Sequence, residues 1–255
     1  MAIVAVAGDV CTTTAVALAS AWPASDDVVL VECDPSGGDL AAWFDIPVTP
    51  SLSTVVTQVL DGAWSDVERL TRLADPGIRL IPAPPRAGEA RQAVGEAART
   101  LVPALAALRS PVIIADTGRL LPTSAAHPFV ASAAVNVIVH RQAPQSSRAA
   151  AVRLQRLADH LEGFAATPSP LIVAIVGAVP FDVREIESFL SDSVGANAVV
   201  GLPLDAITAA VYGGRTGVSE RRLARLPLAR AARDLAATAE RSVHDAADGL
   251  WWAAR

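Results

Sequence analysis

Ala2-Ile3-Val4-Ala5-Val6-Ala7-Gly8-Asp9-Val10-Cys11-Thr12-Thr13-Thr14-Ala15-Val16-Ala17-Leu18-Ala19 is the stretch that decides the fold. Its first six residues are apolar without alternation. A strand of that kind is covered on both faces, as in a parallel sheet packed between helices. A glycine, an acid and a run of threonines follow, and then a helix-like Ala/Val/Leu segment through Ala21. In a strand-turn-helix unit, backbone N–H groups converge at the turn, and the helix start adds partial positive charge. Threonines there also serve as simple helix caps.

The same pattern continues outward. Further apolar runs lie at Val28–Cys33, Ile78–Pro82, Val112–Asp116, Val135–His140, Leu171–Val176 and Ala198–Leu202. Segments of helical length and composition lie between or after them at Glu89–Leu108, Ser146–His160 and Leu228–Val243. This alternation predicts an α/β fold: a single doubly wound, mostly parallel sheet of about seven strands flanked by helices. Pro111, Pro168 and Pro170 precede strands, and Pro180 and Pro203 follow them. Pro82-Ala83-Pro84-Pro85 reads as a stiff loop at a strand end, where α/β proteins place ligand contacts. Residues 1–243 are expected to form one domain and 244–255 a C-terminal tail.

Composition narrows the function classes. Hydrophobic residues make up 52% of 255, enough for a sizeable core. No apolar run approaches the ~18 residues needed to span a bilayer, and Met1–Ala7 lacks the basic start of a signal peptide. The expectation is a cytoplasmic protein. Cys11 and Cys33 are too few for a disulfide framework and read as reduced thiols. His140 and His160 show no metal-ligand spacing and read as ordinary strand-end and helix residues. All 21 basic residues are arginine, so no lysine is available from this chain or from a second copy of it. Residues 1–75 hold eleven acids against Arg69 and Arg72, whereas 215–241 hold seven arginines against Glu220, Asp234 and Glu240. The basic segment suits phosphate, an acidic partner, the chain's own acidic half or plain solvent. A net charge of −5 argues against tight nucleic-acid binding overall.

Three further motifs end apolar runs. Glu32-Cys33-Asp34-Pro35-Ser36-Gly37-Gly38 places carboxylates at the sheet edge where Mg²⁺ and an attacking water would be handled. Val112-Ile113-Ile114-Ala115-Asp116-Thr117-Gly118 is four apolar residues closed by an acid, the arrangement of a carboxylate behind Mg²⁺. Gly201-Leu202-Pro203-Leu204-Asp205 bends the chain outward after the last strand. Taken in order with the threonine-rich turn, these motifs resemble the ParA/MinD family of deviant P-loop ATPases over essentially the whole chain, Ala2 to about Ala237. The likeness is greatest to actinobacterial MinD-like proteins and to the pilus-assembly (CpaE/TadZ-type) branch.

The resemblance implies a site. Gly8, Asp9, Val10, Cys11, Thr12, Thr13 and Thr14 would face nucleotide phosphates, with Thr12 on Mg²⁺ and Thr13 toward the α-phosphate. Asp34 would orient the attacking water, Asp116 would stand behind the metal, and Pro203 and Asp205 would lie by the adenine. The departures are large. Cys11 or Val10 stands where the family has its P-loop lysine, the second family lysine is absent, and the loop reads three or four residues short. Asp9 sets a negative charge where phosphates would sit. Weakened ATP and Mg²⁺ binding, with slow or absent hydrolysis, is the expectation. The implied role is a dimerising scaffold or positioning factor: a homodimer, with a protein partner in a pilus, secretion or cell-pole assembly and a peripheral membrane contact. Trp251 and Trp252 suit a partner, a membrane interface or the chain's own surface alike. Two alternatives stand beside it. One is an active ATPase switch using Arg119, Arg141 or Arg86 for the lysine. The other is a DNA-binding partition module using Arg215, Arg221, Arg222, Arg225, Arg230 and Arg233.

Overall fold

Each apolar run needs cover on both faces, and the chain supplies it by returning a helix after nearly every strand. The computed structural model describes residues 2–23, 27–61, 69–106, 111–119, 121, 123–142, 146–165 and 169–249. The strands are β1 (Ile3–Gly8), β2 (Val28–Glu32), β3 (Arg72–Ala74), β4 (Ile78–Ile81), β5 (Val112–Asp116), β6 (Val135–Arg141), β7 (Leu171–Val176) and β8 (Ala198–Leu202). The helices are α1 (Cys11–Ala21), α2 (Leu40–Trp43), α3 (Leu52–Asp61), α4 (Ala87–Ala106), α5 (His127–Ala131) and α6 (Ser147–Ala165). They continue with α7 (Val183–Val194), α8 (Ala206–Tyr212), α9 (Glu220–Leu223) and α10 (Pro227–Gly249).

The eight strands form one sheet in the order β3-β4-β2-β5-β1-β6-β7-β8. Every neighbouring pair is parallel except β3 with β4. All seven expected strands are present with ends within one residue of the sequence reading. The eighth, β3, was not expected. Three residues are too few to show a period, although the turn after it, Asp75-Pro76-Gly77, carries a readable hairpin signal. The expected tail at 244 is, as far as Gly249, a continuation of α10, so no break falls at Val243. Trp251 and Trp252 lie outside the described residues.

One core lies under α3 to α7 and includes Leu52, Leu101, Phe129, Leu161 and Leu190, all fully buried. The other lies under α1, α8 and α10 and includes Val16, Leu18, Tyr212, Leu235 and Ala236. Ala15, Ala17, Ala232, Ala236 and Ala239 are buried on this side, where small side chains let α1 and α10 approach closely. Cys11 belongs to this second core and Cys33 to the first; both thiols are free. Asn136, early in β6, is 1% exposed, and both polar atoms of its amide lack a hydrogen-bond partner. Among the described residues no helix is long and apolar enough to cross a membrane. Arg215, Arg221, Arg222, Arg225, Arg230 and Arg233 are exposed around α9 and the start of α10. Of these, Arg233 donates to the Ala224 carbonyl at 2.7 Å and so closes the α9–α10 corner.

Because the connections run to opposite sides of β1, the topological switch point falls around it. Ligand crevices of open α/β sheets lie at that point, beyond the carboxyl ends of the strands.

Candidate functional site

The site begins where β1 stops. Gly8 has φ +113°, and a Cβ there would lie 2.3 Å from the Val139 carbonyl oxygen. Only glycine lets β1 run this close to β6 at its end. The turn that follows is two residues long, Asp9 and Val10, before α1 starts at Cys11. Its N–H groups are partly spent. Gly8 donates to the Gly118 carbonyl at 3.1 Å, and Asp9 donates to the Val139 carbonyl at 2.9 Å. Val10 sits in the left-handed region at φ 45°, which is costly for a β-branched residue. Its side chain caps nothing, so the first-turn N–H groups of α1 gain no side-chain acceptor there. Thr14 is buried and donates its hydroxyl to the Val10 carbonyl at 3.1 Å, which commits it to the helix.

Asp116 and Glu32 end adjacent strands and stand level in the sheet. Asp116 is fully buried; its Oδ1 accepts from the Gly118 N–H at 3.2 Å, while Oδ2 has no partner of normal geometry. Burial pushes its pKa up to about 6, and the Asp34 charge adds to that. The Thr12 hydroxyl, the Gly118 N–H and the Cys11 thiol pull the other way. Thr12 and Cys11 of α1 therefore sit beside the Asp116 carboxylate. Burial, and then the Asp116 charge, drive the Cys11 thiol far above its ordinary range, so the start of α1 carries a neutral thiol. Asp34 lies over Gly118: a Cβ on Gly118 would be 2.3 Å from the Asp34 carboxyl carbon. Its Oδ1 accepts from the Ser36 N–H at 2.7 Å, fixing the loop after β2.

Glu32 plays a part the sequence did not disclose. Its Oε1 accepts from the Asp39 N–H at 2.7 Å and the Leu40 N–H at 3.0 Å, and Oε2 from the Ala83 N–H at 2.8 Å. It ties the loop before α2 to the proline-rich loop after β4. Burial pushes its pKa up to about 7 despite those three donors.

Asp9 has the most crowded surroundings. Its Oδ2 accepts from the Arg141 N–H at 3.3 Å and lies 3.8 Å from His140 Nδ1. Its Oδ1 lies 3.7 Å from an Arg119 Nη2. The carboxylate is thus approached from β6 on one side and from the loop after β5 on the other. Burial lowers the pKa of His140 below its ordinary 6.5, more than Asp9 raises it, so the imidazole is neutral at pH 7. By its sequence context alone His140 is an ordinary strand-end residue. What brings it to Asp9 is the long-range pairing of Gly8 with Val139.

Gly8 to Thr12, Asp34 and Asp116 therefore share one edge, on the neighbouring strands β2, β5 and β1. Pro203 and Asp205 follow β8, three strands from β1, about 14 Å away at ordinary strand spacing. Asp205 is committed to helix capping. It accepts from the N–H groups of Ile207 and Thr208 at 3.1 Å, from the Thr208 hydroxyl, and from the Leu228 N–H at 3.3 Å. Among the described residues Arg86 pairs with Glu89 at 3.1 Å on the exposed start of α4.

The fit to a magnesium nucleotide divides. An unpaired, buried Asp116 Oδ2 beside the Thr12 hydroxyl suits Mg²⁺ held through oxygen or water. A triphosphate finds the neutral Cys11 thiol at the start of α1, the N–H groups of Gly8 and Asp9 already used, and the Asp9 carboxylate.

No family model matches the chain, and no curated protein matches it. Solved structures do. The ParA family ATPase from Chlorobium tepidum is 16% identical, with 92% of this chain and 97% of that one covered at a TM-score of 0.67. The cell division ATPase MinD from Pyrococcus furiosus is 14% identical, with 94% and 98% covered at 0.69. A cobyrinic acid a,c-diamide synthase from Mycobacterium smegmatis, solved with ADP and magnesium, is 19% identical, with 94% of each chain covered at 0.60. Such identities speak to architecture alone. From β1 through α10, the chain has the fold of the ParA/MinD P-loop ATPases.

Proposed function

We propose that this protein is a ParA/MinD-like scaffold or positioning factor that self-associates through the β1–α1 edge and turns over ATP slowly or not at all. One observation carries the reading. Thr12, Asp34 and Asp116 stand together at the switch point, and beside them Cys11, which with Val10 would take the place of the family's lysine, is a buried, neutral thiol. Losing one charged transition-state donor typically costs ~10²–10³ in rate, and two family lysines are missing. Mg²⁺ would be held by Thr12 and Asp116, with Asp34 on the side of the attacking water; when bound, the metal would supply charge neutralisation for phosphate. The protein partner would belong to a pilus, secretion or cell-pole assembly.

Two measurements test this. Light scattering should find a dimer without nucleotide, and a strict monomer with and without Mg·ATP refutes the scaffold. Steady-state phosphate release at saturating Mg·ATP should be near background; a turnover typical of active ATPases refutes the catalytic half.

A second reading has an observation of its own. Arg119 reaches the β1–α1 turn, so an arginine is present where the lysine is missing. An active switch built on it would lose turnover on Arg119→Ala. Guanidinium is larger than ammonium and forked, which suits it poorly to a point-charge role inside a tight loop.

A further inference from the structure

We infer that Asp9 determines which ligands the β1–α1 turn accepts: its carboxylate is a built-in anion beside the turn that engages Arg119 and repels a phosphate. The inference rests on the reading of this edge as a nucleotide-type site and names how that site is kept closed.

Three observations converge. The carboxylate belongs to the residue just after β1 and lies between the ends of the two flanking strands, one oxygen accepting from the Arg141 N–H of β6 and the other facing Arg119 after β5. Groups that would otherwise meet an incoming anion turn toward it: the Arg141 N–H, the Arg119 guanidinium and the His140 imidazole. The turn N–H of Asp9 itself is spent on Val139, so that donor is closed to an incoming anion. Nor does holding this arrangement cost much. Arg119 is 77% exposed, and an exposed pair at 3.7 Å is weak. The carboxylate therefore excludes phosphate mainly by its own charge, beside Asp34 and the buried Asp116. Removing that charge leaves Arg119 free beside the turn.

The test is calorimetric titration of the full-length protein with Mg·ATP and, separately, with tripolyphosphate. The chains compared are wild type, Asp9→Asn, Asp9→Ser, Arg119→Ala and Asp9→Asn/Arg119→Ala. Asp9→Asn keeps size and loses charge; Asp9→Ser serves if the first does not fold, as judged by circular dichroism. The expected result is at least tenfold tighter binding of both probes by the Asp9 variants than by wild type, with most of that gain lost in the double variant. Equal affinities for wild type and the Asp9 variants overturn the inference, as does no binding by any of them at millimolar probe. A gain that survives Arg119→Ala overturns the role given to Arg119. The outcome separates from that of the scaffold reading. A dimeric wild type whose Asp9 variants gain nothing refutes this inference alone. A monomeric wild type whose variants gain tenfold refutes the scaffold alone.

Discussion

Asp116→Asn should make this protein more stable above neutral pH. The wild-type carboxylate is fully buried with Oδ2 unpaired, and its pKa rises from an ordinary 3.8 to about 6. At 1.36 kcal/mol per pKa unit, that rise means ionised Asp116 costs the fold about 3 kcal/mol. The sign follows from proton counting. Below about pH 4 both folded and unfolded chains hold the proton and no cost is felt. Between about pH 4 and 6 the folded chain holds more protons than the unfolded one, so stability falls as pH rises. Above that window the full cost applies. Glu32, raised from 4.5 to about 7, adds a second falling contribution of about 3 kcal/mol, which is complete only above pH 7.

Asparagine keeps the acceptor for the Gly118 N–H and removes the charge. Urea unfolding at pH 8 should therefore show the variant more stable by roughly 2–3 kcal/mol, or about 5–10 °C in melting temperature for a domain of this size. Near pH 4 the two proteins should coincide. Wild type should be more stable at pH 5 than at pH 8, and the variant should keep only the share of that slope due to Glu32. A variant that is less stable than wild type at pH 8, or equally displaced at both pH values, would show that ionised Asp116 does not cost the fold more through its burial than its hydrogen bonds return.

Four other substitutions probe the frame around the site. Asn136→Val replaces a buried amide with two unpaired polar atoms by a β-branched residue in a strand, and should stabilise by about 1–2 kcal/mol; a loss of stability in urea would mean the amide has a partner. Gly118→Ala sets a side chain at φ +65° and 2.3 Å from the Asp34 carboxyl carbon, so it should cost more than about 1 kcal/mol. Asp34→Ala in the same chain should recover part of that cost, and strict additivity of the two changes would show that Asp34 is not the obstruction. Asp205→Ala removes the cap of α8 and the tie to Leu228, and should cost about 2 kcal/mol in chemical unfolding; a change within ~0.5 kcal/mol would return Asp205 to a ligand-facing role.

The strands were legible because several are apolar at nearly every position, a pattern with few other uses. β3 was not, since Arg72-Leu73-Ala74 is too short to display one. α7 was overlooked although its capping box is written in the sequence: Asp182 accepts from the Glu185 N–H and Glu185 accepts from the Asp182 N–H. Asp34 and Asp116 could be read as strand-end acids, and parallel strands must bring such ends to one edge. The remainder of the site could not be read, because its geometry depends on pairing between distant segments. His140 meets Asp9 only through the β1–β6 register. Glu32 looked like a metal-side acid and is in fact a tie between two loops, since nothing local shows that Ala83 and Asp39 will present N–H groups to it.

Frustrated groups are spread unevenly over the fold, and their position separates a ligand-facing cost from an incidental one. The unpaired Oδ2 of Asp116, the raised Glu32 and the left-handed Val10 all lie at the carboxyl edge around the switch point. Asn136 is as buried and as unpaired but lies toward the opposite end of β6, away from that edge. If the Asp116 cost is the counterpart of a cation, millimolar Mg²⁺ binding only the folded chain should recover part of it by mass action. Wild type and Asn136→Val should then gain the same stability at pH 8, and Asp116→Asn should gain little. An equal gain in all three would put the cation elsewhere on the protein and leave the Asp116 cost without a ligand to offset it.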